Sequence, residues 1–75
     1  MDEDNMLHKA NVIAAFFAGY PREQAVEGIA NHLRMYWVPR MRAQIIQYVQ
    51  EHDGEGLHEL VPEAVARLEM PVIRS

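Results

Sequence analysis

Prolines and glycines cut this chain at three places, and between the cuts apolar residues recur only at helical spacing. Gly19-Tyr20-Pro21, Val38-Pro39 and Asp53-Gly54-Glu55-Gly56 are breaks that stop one helix and release the next. Ahead of the first break, Met6, Ala10, Ile13, Phe17 and Tyr20 form one stripe, and Val12 and Phe16 widen it. Asp4 or Asn5 is placed to cap that helix, among acids that suit its positive end. In the second segment Pro21 fits the first turn and Glu23 the N-terminal end, while Val26, Ile29, Leu33 and Tyr36 or Trp37 make the buried side. Gly28 falls mid-helix, where it costs about 1 kcal/mol relative to Ala; close approach of another helix is the expected compensation. Pro39 disfavours helical backbone at Val38 and can itself open a third helix, with Met41, Ile45, Tyr48 and Val49 inward.

Past the glycine turn, Leu57, Leu60, Val61, Ala64, Val65 and Leu68 keep the helical spacing. Pro62 is expected to divide them into a short turn and a last helix of about two turns. Met70-Pro71 ends that helix, which leaves Val72-Ile73 as an apolar tail that a partner can cover. Nothing alternates with period two. The expected fold is all-α, a small bundle of three to four short helices in a single domain over 1–75, with 1–4 and 70–75 as flexible tails.

A chain of 75 residues buries only about 60–65% of its unfolded surface, so its own core is marginal. It has no cysteine, which excludes disulfides and thiolate metal sites. A partner, either a second copy or a larger protein, is then the natural stabiliser. Eleven acids against seven bases give a net charge of −4, which repels phosphate backbones, and the bases form no stripe along any one helix. Nucleic acid is not an expected partner. The N-terminal MDEDN has no basic region leading to an apolar core, as a secretory signal would. The longest apolar stretch, Val12 to Tyr20, is about half the roughly 20 residues a bilayer span needs. The expectation is a cytoplasmic protein with no membrane partner.

Side chains for covalent chemistry are scarce. There is no Thr, and the only Ser is Ser75, so no hydroxyl or thiol nucleophile set is expected and no catalytic residue is assigned. Glu51, His52, Asp53, Glu55, His58 and Glu59 gather around the glycine turn, but their order lacks the ligand pattern of a calcium loop. A solvated turn, with no metal, is the expected reading.

The run His32 to Arg42, HLRMYWVPRMR, stands apart. It carries the only tryptophan, a proline, three of the six arginines and no acid, in a chain that is otherwise acidic. Aromatic and arginine side chains dominate interface energetics, because large flat groups bury much area at little entropic cost. Trp37 is open between two roles, a core anchor at a helix–helix corner or a contact for a partner. Phe16 and Phe17 project about 100° apart on a helix, so one of them is free to reach outward.

These residues bring out a resemblance. The chain is similar to the delta subunit of cytoplasmic, NAD-dependent, molybdenum-containing formate dehydrogenases. The resemblance rests on Ala10-Asn11-Val12-Ile13-Ala14-Ala15-Phe16-Phe17, on Ala25-Val26, and on His32 through Arg42 with its Trp-x-Pro-Arg-Met-Arg string. Gly54 to Leu68 corresponds to the family's C-terminal region, so similarity extends from about residue 6 to residue 69. Lys9 replaces the family's usual Met and Tyr36 a common Phe, while His58-Glu59 and Pro62 depart from the usual start of the last helix. The resemblance implies a non-catalytic accessory subunit with no cofactor of its own. Larger subunits would carry molybdopterin, iron–sulfur clusters, flavin and NAD and oxidise formate to carbon dioxide. The small subunit would bind the large molybdopterin-binding subunit and support assembly or stability. The expected partner surface is Asn11, His32, Arg34, Tyr36, Trp37, Pro39, Arg40, Met41 and Arg42. A different class of function, an independent homodimeric bundle acting as a regulator or ligand-binding module, would satisfy the apolar faces with a second copy.

Overall fold

The computed structural model describes residues 2–72, and these form four helices. They are α1 (Glu3–Phe17), α2 (Arg22–Tyr36), α3 (Pro39–His52) and α4 (Leu60–Val65). No strand occurs among the described residues. Met1 and the end of the apolar tail, Ile73 included, lie outside the described residues.

Local chemistry accounts for most of the boundaries. Helix α1 starts earlier than expected, because Asp2 rather than Asp4 or Asn5 is the cap: its Oδ1 accepts from the Asn5 N–H at 2.8 Å. Pro21 is the extended residue just before α2 rather than part of its first turn. Pro39 opens α3, and the freed carbonyl of Val38 accepts from Met41 and Arg42 at 3.0 and 3.1 Å. At the far end of α3, Asp53 turns left-handed at φ 53°, followed by Gly54 at φ 76° and Gly56 at φ 83°. Gly54 has a second reason to be glycine, since a Cβ there would stand 2.6 Å from Cγ of Pro62. Pro62 itself lies inside α4 rather than ahead of it. It is the third residue of that six-residue helix, where its missing N–H is one of the donors a helix start leaves unpaired in any case.

The core is organised around α2, which contributes Ala25, Val26, Ile29, Ala30 and Leu33. Helix α4 packs on it with Leu60, Val61, Ala64 and Val65, and α1 with Met6, Ala10 and Ala14. Helix α3 adds Ile45 and Ile46, with Met41, Tyr48 and Val49 half-buried against them. The close approach expected at Gly28 is made by Phe17, whose Cε1 lies 2.5 Å from where a Cβ would stand. Val12 and Phe16 do not widen the buried stripe of α1. Val12 comes two residues after Ala10, about 200° round the helix, and both side chains are exposed. Tyr20, also placed in that stripe, is exposed beyond the helix end.

Candidate docking surface

The run His32 to Arg42 spans the end of α2, the corner and the start of α3. The structure divides its residues between two flanks and the core. His32 and Tyr36 are four apart and share a face of α2, whereas Arg34 lies about 200° round from His32. One face holding all the expected contact residues is therefore not what the helix builds.

Trp37 goes to the core. It leaves the helix with extended backbone, φ −91° and ψ 131°, and only 6% of it remains exposed. Its neighbour Tyr36 stays 69% exposed. The choice between these two residues, open from the sequence, is settled by the helix end: the backbone turn swings one ring inward and leaves the other on the surface.

Two of the arginines are committed within the chain. Arg42 donates from Nη1 to the carbonyls of Trp37 and Arg34, the second at 3.4 Å. It thereby sets a positive charge on the negative end of α2. Arg34 donates to Asn31 Oδ1 at 2.7 Å, Glu27 Oε1 at 3.3 Å and the Arg67 carbonyl at 3.0 Å. Its position leads to a cluster that sequence reasoning missed. Arg67 bridges α2 and the segment after α4, donating to both oxygens of Glu23 at 2.7 Å and to Glu27 at 2.8 Å. Arg22 reaches Glu63 at 2.7 Å on the same flank. Hydrogen bonds from Arg67 hold the Glu23 carboxyl below the usual carboxylate range, and those from Arg67 and then Arg34 do the same to Glu27. Arg34, Arg42 and Arg67, together with the segment from Leu68 to Val72, line an open hollow of about 450 Å³. Sequence distance hid this cluster, since Arg67 is 44 residues from Glu23.

Asn11 is also used inside the fold. Its Nδ2 donates to the Gly56 carbonyl at 2.9 Å, and its Oδ1 accepts from the His58 N–H at 2.7 Å. It pins α1 to the turn that precedes α4. His58 Nδ1 in turn accepts from the Leu60 N–H at 3.1 Å, and Tyr48 donates to the Glu55 carbonyl at 2.5 Å. The acid-and-histidine group around the glycine turn is thus partly engaged in turn structure. Among the described residues no three such side chains converge as a metal site would require.

What remains open is the other flank of α2, against α1. Val12, Ile13, Phe16, Phe17, His32 and Tyr36 line a groove of about 460 Å³. A second hollow of about 360 Å³ shares Val12, Ile13 and His32 with it and continues to His8, Lys9 and the edge of Trp37. Phe16 is 71% exposed and Val12 55%. The rings order one another: Phe16 meets Phe17 edge-on with centroids 5.1 Å apart, and His32 lies 4.8 Å from Tyr36. Of the nine expected contact residues, Arg34, Tyr36, Pro39 and Arg40 are exposed, and of these four Arg40 makes no ion pair or hydrogen bond among the described residues. His32 is half-buried in the groove, and Met41 is half-buried against the core. Spacing alone puts Val12 and Phe16 in the buried stripe, although the diverging Phe16-Phe17 pair signals that one aromatic is free to reach outward.

The fold and this groove define a small all-helical module with a ring-lined face left uncovered by the described residues. The chain belongs to the family described as the NADH-dependent formate dehydrogenase delta subunit FdsD, which matches residues 5–65. Searches of curated proteins and of solved structures returned no significant match. No helix among the described residues is long and apolar enough to cross a membrane.

Proposed function

We propose that this chain is an accessory subunit of a cytoplasmic, NAD-dependent molybdenum formate dehydrogenase, binding the large molybdopterin-binding subunit and supporting assembly or stability of the complex. The observation that carries this reading is the family match over residues 5–65. In this reading formate oxidation and its redox groups (molybdopterin, iron–sulfur clusters, flavin and the NAD site) belong to the other subunits. This chain contributes binding energy. A subunit that binds the cofactor-loaded form of its partner in preference to other forms stabilises that form by mass action.

The test is co-expression of the tagged chain with the large subunit, reading recovery and molybdenum content together. The expected outcome is stoichiometric capture, with molybdenum or formate oxidation falling when the chain is omitted. A folded chain that captures no large subunit and self-associates overturns the proposal.

A further inference from the structure

We infer that the groove between α1 and α2 is the seat of an acidic amphipathic helix of the catalytic subunit; the inference rests on the function proposed above. Three observations carry it. The first is the uncovered apolar surface itself. Val12, Phe16 and Tyr36 are more than half exposed and line one groove, and grouped exposed aromatics of this kind mark interaction sites rather than ordinary surface.

The second is charge. The chain carries −4 overall, yet no carboxylate lines either hollow of the groove, whose polar wall is His8, Lys9 and His32. Lys9 makes no ion pair or hydrogen bond among the described residues. An approaching segment that carries carboxylates meets a cation and two imidazoles here, with no carboxylate in the lining to oppose it.

The third observation selects between a second copy and a different protein. A two-fold dimer through this groove is isologous, so the same patch supplies both sides of the contact. Lys9 would then meet a wall that offers it no carboxylate. The chemistry that fits is a foreign segment with apolar side chains on one face and acids beside them. Helix is the form it takes, because the described residues offer no strand edge to extend and the groove presents side chains rather than free backbone groups. Phe16 and Tyr36 act as the walls, each already packed against a neighbouring ring, so little rotamer freedom is lost on docking.

The experiment uses the full chain co-expressed with the large subunit, in three forms: unchanged, Phe16→Ser with Tyr36→Ser, and Lys9→Glu. Both variants alter exposed positions, so circular dichroism is expected to match the unchanged chain. Recovery of the large subunit is expected to fall roughly 30-fold or more for the double variant, the scale of losing interface anchors. For Lys9→Glu a smaller loss is expected, together with loss of the salt sensitivity that the unchanged complex shows. A photo-crosslinking residue at position 36 is expected to label an acidic amphipathic segment of the large subunit. Undiminished capture by the double variant overturns the groove assignment and leaves the proposed function standing. Failure of the unchanged chain to capture the large subunit overturns that function, and the inference falls with it. A dimer in sedimentation that the double variant abolishes assigns the groove to a second copy, and a crosslinked segment that is neutral or basic removes the charge argument; either result overturns the inference.

Discussion

Toward α4, helix α2 presents charges that are matched inside the chain; toward α1, it presents rings that are not covered. On the first flank Arg67 holds Glu23 and Glu27, Arg34 shares Glu27, and Arg22 holds Glu63. On the second, Tyr36 and His32 stand over a groove whose other wall is Val12 and Phe16. The contrast separates two meanings of an arginine–aromatic run. Arginine's fork satisfies carbonyls and carboxylates equally well within a chain and across an interface, so its presence does not locate a docking face. An exposed cluster of rings is harder to explain from inside, because the chain gains nothing by leaving it in water. Arg34 and Arg42 hold the fold, and Tyr36 beside them is what it displays.

The corner joins both flanks, so the largest expected effect comes from Trp37. Replacing this buried indole with alanine removes a core side chain at a cost of about 3–5 kcal/mol. Small domains have total stabilities toward the low end of about 5–15 kcal/mol. Trp37→Ala is therefore expected to leave the isolated chain largely unfolded, as read by helical circular dichroism against temperature. A variant that stays folded while losing capture of the large subunit would move Trp37 from the core to the display side and break the division between the flanks.

The fold was legible because it depends on local rules. Helical period, the prolines and the glycine turn act over a few residues, and α2 and α3 fall where those signals place them. The site was legible only in part. Tyr36 and Trp37 are adjacent, and extrapolating helical phase cannot say which is buried when the helix ends between them; the extended backbone at Trp37 decides it. Phe16 carried a signal in its pairing with Phe17, but Val12 looked like one more core residue until the buried stripe settled on Met6, Ala10 and Ala14. Asn11 and Arg67 act across 45 and 44 residues of sequence. No spacing rule connects them to their partners.

An intermediate effect is expected at Asn11, which sharpens the α1 side of the comparison by asking how firmly that helix is held. Asn11→Ala removes the acceptor for the His58 N–H and the donor to the Gly56 carbonyl together. A part-buried group left without its partner costs about 1–3 kcal/mol. Urea unfolding is expected to shift by that amount, and the His58 amide to exchange faster. Asn11→Asp keeps the acceptor for His58 and sets an oxygen against the Gly56 carbonyl, so it should recover only part of the loss. Full recovery by Asp would mean that the bond to Gly56 contributes nothing and that α1 is tied to the turn through His58 alone.

The smallest effect is expected on the charged flank, and pH is the means of isolating it. In the folded chain the carboxyls of Glu23 and Glu27 are held below their ordinary value of 4.5 by the hydrogen bonds from Arg67. A depressed folded pKa means that the stabilisation is fully present above the ordinary value of 4.5 and is lost as acid protonates the folded carboxylates. The melting temperature is therefore expected to be insensitive to Glu23 and Glu27 near neutrality and to fall as pH drops below 4.5. Arg67→Met keeps much of the side chain's bulk and removes its donors, so this variant should lose less between neutrality and acid than the unchanged chain does. The difference is small because these pairs are partly exposed and water screens them. Added salt should shrink it further. Equal acid sensitivity in the two chains would show that the Arg67 pairs add nothing to folding stability. The α4 flank would then rest on its apolar contacts, and the charges along it would be as free to meet a partner as the rings on the other side.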